Sequence, residues 1–279
     1  MKITPDELKV LAQYIYNVSG IHLDQSKAYL LESRLKPLIA EHNLSSYTQL
    51  YHKAKADASK TLEKAIIDAV TTKETLFFRD SGPFEVFKHK ILPDIIDARS
   101  KRLHKSMPVK LRIWSAACST GQEVYSIAIA IKETIPDLNK YQVSILGTDI
   151  SDQAIAQASY GKYNKFEIER GLSKDKLQKY FSPTEDGNWR IKDEVRMLAN
   201  FRKVNLMQAF SGLGRFDVIF CRNVAIYFKP DDKKKLFERL AGVLQPDGAL
   251  IIGSTESLSG VTRSFVPKRY LRSIYYQPA

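Results

Sequence analysis

Two cysteines in 279 residues are the first scarcity. Cys118 and Cys221 stand far apart in apolar surroundings, so they offer neither a disulfide framework nor a zinc-ligand spacing. Histidine is scarcer than its count of five suggests, because His22, His42, His52, His89 and His104 all precede Leu111. The stretch from Leu111 onward therefore supplies no histidine base and no histidine metal ligand. No apolar run approaches the roughly 20 residues that span a bilayer. Met1-Lys2-Ile3-Thr4-Pro5-Asp6-Glu7 has no apolar core of the signal-peptide kind. A cytoplasmic protein without membrane insertion is expected.

Acidic residues are outnumbered, 31 against 43 Lys and Arg, for a net charge of +12. Residues 1–80 hold 11 basic and 10 acidic side chains, so the excess belongs almost wholly to the rest. A basic excess admits a polyanionic partner, either nucleic acid or an acidic protein surface. It equally admits a solvated surface that keeps the protein soluble. No nucleic-acid-binding motif accompanies the charge.

What the chain does have is a stretch around which the rest is organised. Leu111-Arg112-Ile113-Trp114 begins an apolar run, Ser115 to Gly121 forms a loop of small residues, and Val124, Ile127, Ala128 and Ile131 recur as one face of a helix. Strand, small-residue turn and helix make the first unit of a Rossmann-like domain. Ala116, Ala117, Ser119 and Gly121 let the backbone approach a ligand, and the helix start offers free N–H groups to an anion. The loop lacks G-x-G-x-x-G, so a smaller anion such as an amino-acid carboxylate fits as well as a pyrophosphate. S-adenosylmethionine carries such a carboxylate.

Upstream, Thr4 and Glu7 form a capping box for a helix with the stripe Leu8, Leu11, Ile15 and Val18. A second helix is predicted from about Ser26 toward Asn43, with Leu31, Leu35 and Leu38 inward and Pro37 kinking or shortening it. A third starts at Ser46 and Gln49, and Leu62, Ile66 and Val70 mark a fourth. The periodicity breaks at Thr71-Thr72-Lys73-Glu74-Thr75-Leu76-Phe77-Phe78-Arg79-Asp80, which is either a linker pinned by its two phenylalanines or a substrate-facing segment. A helix bearing Phe84, Phe87, Ile91 and Ile95 follows, then a basic connector of Lys101, Arg102, Lys105 and Lys110.

The second strand, Val143 to Asp149, ends in an acid where a ribose would lie; Asp149 can also cap the helix begun by Ser151-Asp152. Between about Tyr160 and Val204 stand a short amphipathic helix (Leu177, Tyr180, Phe181), a turn at Asp186-Gly187, and strand-like Trp189–Ile191 and Asn200–Arg202, read together as an antiparallel insertion. Phe216–Cys221 is a further strand, followed by Arg222–Phe228, a helix from Pro230 to Leu244, a strand at Ala249–Gly253 and a last antiparallel strand from Tyr270 to Tyr276.

Thr71–Asp80, Trp114–Ser126, Thr148-Asp149-Ile150 and Cys221–Phe228, in that order, resemble the chemotaxis-receptor glutamate O-methyltransferases, the CheR family. The likeness spans essentially the whole chain. It implies an α/β, Rossmann-like S-adenosylmethionine-dependent methyltransferase domain with an N-terminal all-α domain and a small antiparallel β insertion. The expected domains are a receptor-docking helical domain at 1–75, a linker and helix at 76–110, and the methyltransferase domain at 111–279 with the inserted subdomain at 160–204.

The resemblance implies cofactor contacts from Lys73, Thr75, Arg79, Glu123, Asp149, Asn205, Leu206, Arg222 and Asn223. It implies that Arg79 and Tyr227 serve methyl transfer. Lys73 stands where the family often has asparagine, and Gln122 where it commonly has glutamate. The implied acceptor is a glutamate in the cytoplasmic helical domains of chemoreceptors, docked near Lys27, Arg34 and Lys36. No metal, no nucleic acid and a monomer are expected. The short connection Ser182–Asn188 suggests that the insertion captures no receptor C-terminal peptide. The competing classes are an RNA or small-molecule methyltransferase and a cofactor-binding scaffold without activity.

Overall fold

The computed structural model describes residues 2–101 and 107–279. Arg102 and Lys105 of the basic connector, and His104, lie outside the described residues.

The chain opens with α1 (Pro5–Ser19), α2 (Ala28–Glu41), α3 (Tyr47–Ala56) and α4 (Thr61–Val70). The Thr4–Glu7 capping box starts α1, and Ser46 caps α3 by accepting from the Gln49 N–H. Asp24 caps a 3-10 turn at Gln25–Lys27 that leads into α2. Pro37 does not shorten α2, which continues past it to Glu41 with the proline ring on the exposed face. Leu11, Ile15, Leu31, Leu35, Leu50 and Ile66 close a core of their own, and Ile150 from the next domain packs against it.

After the Thr71–Asp80 segment, α5 (Ser81–Val86) runs through a π turn at Phe87–Ile91 into α6 (Leu92–Ser100). The apolar face expected here is present, with Phe84, Phe87, Ile91 and Ile95 all buried. There follow β1 (Val109–Ala116), α7 (Gln122–Thr134), β2 (Tyr141–Asp149) and α8 (Asp152–Tyr160). The insertion holds β3 (Lys162–Tyr163), α9 (Lys165–Glu169), α10 (Lys174–Tyr180), β4 (Phe181–Pro183), β5 (Trp189–Ile191) and α11 (Asp193–Arg196). The chain then gives β6 (Ala199–Lys203), β7 (Phe216–Cys221), α12 (Pro230–Val243), β8 (Leu244–Ile252), β9 (Phe265–Tyr270) and β10 (Ser273–Pro278).

Among the described residues the main sheet has the order β6-β2-β1-β7-β8-β10-β9, parallel from β6 through β8 and antiparallel at β10 and β9. Side chains alternate between two covered faces. Ile113, Val218, Phe220 and Ile251 point into one core, and Trp114, Ile219, Cys221 and Leu250 into the other. Three sequence expectations need correction. Asn200–Arg202 does not belong to an antiparallel insertion: it lies in β6 and pairs parallel with β2, Gly147 against Phe201. Its short polar pattern concealed an edge strand. The insertion's own sheet is β3-β5-β4, in which Phe181 begins a strand instead of ending a helix. The last strand is a hairpin, since Tyr270 ends β9 and Ser273 starts β10.

Candidate active site

The strand order reverses direction at β1, because β2 lies on one side of it and β7 on the other. Loops leaving the carboxyl ends of such strands open a crevice there. A cleft of about 290 Å³ fills that position. The loop after β1 is stitched to β2 by the Cys118 N–H, which donates to the Thr148 carbonyl at 2.8 Å. It turns through positive φ at Ala117 (61°), Ser119 (52°) and Gly121 (95°). A Cβ on Gly121 would lie 2.9 Å from Ala158 Cβ, so the start of α7 approaches α8 only as glycine.

Asp149 ends β2 at the cleft wall. Its Oδ2 accepts from the Ser119 N–H and its Oδ1 from the Ser151 N–H, both at 2.9 Å. Burial raises its proton affinity above that of an ordinary aspartate, against the pull of those two N–H groups, and the charge of Asp68 adds to the rise. Asp149 is not the cap of α8; Ser151 is, accepting from the Ala154 N–H at 3.0 Å. Each Asp149 oxygen has a further lone pair beyond the one these bonds use, and the residue lines the cleft. The Ser119 hydroxyl is buried without a partner. Burial also pushes the Cys118 and Cys221 thiols well up, which suits inert packing and not nucleophilic chemistry.

The Thr71–Asp80 segment is both pinned and cleft-facing. Phe77 is fully buried, edge-on to Tyr163 at 5.1 Å and to Phe181 at 5.4 Å. The Phe78 N–H donates to Ser126 Oγ on α7 at 2.9 Å. With Phe77 and Phe78 turned inward, Lys73, Thr75 and Arg79 line the cleft. Arg79 sits between two residues of positive φ, Phe78 (51°) and Asp80 (56°). Of the eight non-glycine residues with positive φ among those described, Ala117, Ser119 and Asn223 line the cleft, and Phe78 and Asp80 flank Arg79, which lines it too. Each such position costs about 1–3 kcal/mol, so the surrounding packing must over-determine it.

Arg222 explains how it does. Its side chain, 2% exposed, donates Nη1 to Glu123 Oε2 at 2.8 Å and Nη2 to Asp80 Oδ2 at 3.0 Å and the Arg79 carbonyl at 2.5 Å. Glu123 also accepts from Ser115 Oγ at 2.8 Å. The guanidinium thus ties β7 to α7 and to the Arg79 turn. Both terminal nitrogens are occupied by protein partners although the residue borders the cleft, and Nε is buried without one.

The helical domain forms the opposite wall. Asn205 Nδ2 donates to the Val18 carbonyl at 2.8 Å, and the His22 N–H donates to the Tyr227 carbonyl at 2.9 Å. Tyr16 donates its hydroxyl to Asp232 at 2.6 Å. His22 itself lines the cleft. The lack of histidine after Leu111 therefore does not leave the cleft without one, since the N-terminal domain brings its own.

Lys73, Thr75, Arg79, Glu123, Asp149, Asn205, Leu206, Arg222, Asn223 and Tyr227 all line this one cleft. Lys73 is engaged, donating Nζ to Gln153 Oε1 at 2.8 Å. Asn223, at φ 57°, is held by Glu256, whose Oε2 accepts the Asn223 N–H at 2.7 Å and the Gly253 N–H at 2.8 Å. The sequence reading missed His22, Ser119 as a polar group, and Glu256. Their signals are long-range and have no local motif. An acid with free lone pairs, a buried unpartnered hydroxyl and a loop of small residues fit a ligand with a ribose and an amino-acid end. Among the described residues no group of three or more His, Cys, Asp or Glu is placed to hold a metal ion. No helix among them is long and apolar enough to cross a membrane.

The family described as CheR methyltransferase, SAM binding domain, matches residues 73–270. The CheR methyltransferase all-alpha domain matches residues 6–71. The chain is 42% identical over 278 residues to chemotaxis protein methyltransferase 1 of Vibrio cholerae, covering 99% of this chain and 98% of that one. It is 38% identical over 268 residues to chemotaxis protein methyltransferase Cher2 of Pseudomonas putida, covering 95% and 94%.

Proposed function

The chain belongs to the CheR methyltransferase family and is an S-adenosylmethionine-dependent chemotaxis methyltransferase; from that premise we propose that it methylates glutamate side chains of chemoreceptors in the cytoplasm, giving glutamyl methyl esters in chemotactic adaptation. When bound, the cofactor supplies a methyl group on a positively charged sulfonium. The protein's part is to hold and align. Asp149 accepts from ribose hydroxyls, while Glu123, paired with Arg222, faces the amino-acid end. Asn205 and Leu206 line the far end of the cleft beside the helical domain.

The acceptor needs no base. A glutamate side chain, with a pKa of about 4.3, is already a carboxylate at neutral pH. Arg79 holds that carboxylate and Tyr227 walls the transfer path, so alignment and exclusion of water account for rate. The observation that supports this reading is the convergence of Arg79 and Tyr227 with Asp149 in one cleft.

Docking falls to the helical domain. Arg34, expected there, donates Nη1 to the Val70 carbonyl at 2.6 Å and Nη2 to Thr72 Oγ1 at 3.2 Å, so it braces the end of α4. Lys36 is exposed and Lys27 lines the cleft mouth, and these two remain for an acidic helix. The Ser182–Asn188 turn is closed by Thr184 N–H to the Asn188 carbonyl at 2.8 Å and by Asp186, which accepts from Thr184, Asn188 and Lys162. That rigidity supports an enzyme that finds receptors without a peptide tether.

The test is incubation with methyl-labelled cofactor and three acceptors: receptor cytoplasmic domains, tRNA and small carboxylic acids. Base-labile label on receptor glutamates alone is expected. Label on tRNA or on the small acids in its place would refute the assignment.

A further inference from the structure

Asp68 lies on α4, in the helical domain, and reaches across to the methyltransferase domain. Ser151 Oγ donates to Asp68 Oδ1 at 2.5 Å, and the Gln153 N–H approaches the same oxygen at 3.4 Å. The Ser151 hydroxyl has a single proton and already accepts from the Ala154 N–H. That proton has one acceptor, Asp68, so Asp68 sets the serine rotamer. Ser151 is 1% exposed and leaves little room for another arrangement. Its backbone N–H in turn donates to Asp149 Oδ1. A continuous path therefore runs Asp68, Ser151, Asp149, Ser119, from the helical domain to the cofactor loop.

We propose that Asp68 is a positioning residue for Asp149, through which the helical domain controls capture of the cofactor. The proposal rests on the reading that this cleft holds S-adenosylmethionine. Two effects act together. The hydrogen bond fixes the start of α8 and aims the Ser151 N–H at Asp149. The negative charge of Asp68 disfavours the Asp149 carboxylate, one of the contributions that raise its proton affinity. The other charged or titratable groups around Asp149 are Cys118 from the loop after β1 and Lys203, its register partner on β6, whose amine is engaged with Asp152 at 2.6 Å; His22, Lys73, Arg79, Glu123 and Arg222 share the walls of the same cleft. Occupancy of the helical domain by an acceptor that shifts α4 changes the Asp149 environment. By linkage, bound cofactor then changes acceptor affinity by the same factor.

The experiment pairs calorimetry of S-adenosylmethionine binding with carbon-13 NMR titration of the Asp149 carboxyl, on full-length wild type, Asp68→Asn, Asp68→Ala, Ser151→Ala and the double variant Asp68→Ala with Ser151→Ala. Asp68→Asn keeps an acceptor for Ser151 and removes the charge, so the Asp149 midpoint moves to lower pH while affinity at neutral pH is held or raised. Asp68→Ala weakens affinity about three- to tenfold at neutral pH, less than a direct charged hydrogen bond because it acts through Ser151. On the Ser151→Ala background the same change no longer weakens affinity, which a general loss of stability would not produce. An unmoved Asp149 midpoint in Asp68→Asn together with wild-type affinity in Asp68→Ala overturns the proposal. Failure of the wild type to bind the cofactor would refute the reading of the cleft, and the NMR titration would still decide the coupling.

Discussion

Asn205 of the methyltransferase domain donates its side-chain amide to the carbonyl of Val18 in α1 at 2.8 Å. A residue expected to touch the cofactor is therefore held by the helical domain. The same Asn205 accepts the Met207 N–H through Oδ1 at 2.9 Å, and Met207 lies over Gly20. The cleft and the helical domain share a wall, so damage to one is felt in the other.

Gly20 gives the cleanest test of that wall. It caps α1 at φ 78°, and a Cβ there would fall 2.4 Å from Met207 Cγ. Gly20→Ala should cost roughly 1–2 kcal/mol in stability from the left-handed backbone and the displaced methionine. It should also weaken cofactor binding, because Met207 drags Asn205. Calorimetry on the folded variant checks this, and wild-type affinity would show that Asn205 is placed independently of α1.

Breaking the Arg222–Glu123 pair should be among the most destabilising changes near the cleft. Arg222→Ala leaves Glu123, 12% exposed, and Asp80 without their cation and frees the Arg79 carbonyl. Loss of one partner of a buried pair costs about 3–5 kcal/mol. Denaturant unfolding measures it. A loss under about 1 kcal/mol would mean that Arg222 serves only the ligand and does not brace the Arg79 turn.

Acid should loosen the insertion first. Burial works to raise Glu133, but the hydrogen bond and charge of Lys176, with those of Lys88, outweigh it and hold this acid below its usual value. Lys176 stands on α10 and Lys88 in the π turn, so Glu133 on α7 joins the insertion to the body. A depressed folded pKa means stability fully present above the unfolded value near 4.5 and lost as pH falls through the folded one. Glu133→Gln should therefore flatten the stability profile below about pH 5 and leave the neutral limb in shape. Thermal melts across that range read the effect. An unchanged acid limb would remove Glu133 from the account.

The sequence was legible where the physics is local. The Thr4–Glu7 box, the Ser46 cap, the β1–loop–α7 unit and the acid ending β2 each announce themselves within a few residues. The ten site residues converge on one cleft because a family pattern carried them, not because periodicity did. What stayed hidden depends on distant partners. Asn200–Arg202 reads as an antiparallel strand until β2 claims it as a parallel edge. Arg34 reads as a free surface cation until its bond to the Val70 carbonyl is seen. His22 reads as remote from the chemistry until α1 folds back onto Tyr227.

The central claim is that transfer needs alignment and no general base, although His22 lines the cleft. The pH dependence of kcat at saturating cofactor and receptor, for wild type and His22→Ala, tests it most directly. The account predicts a kcat that is flat from about pH 6 to 9, with the same shape in both proteins, because the acceptor carboxylate is already ionised. A wild-type acid limb in kcat that disappears in His22→Ala would contradict it.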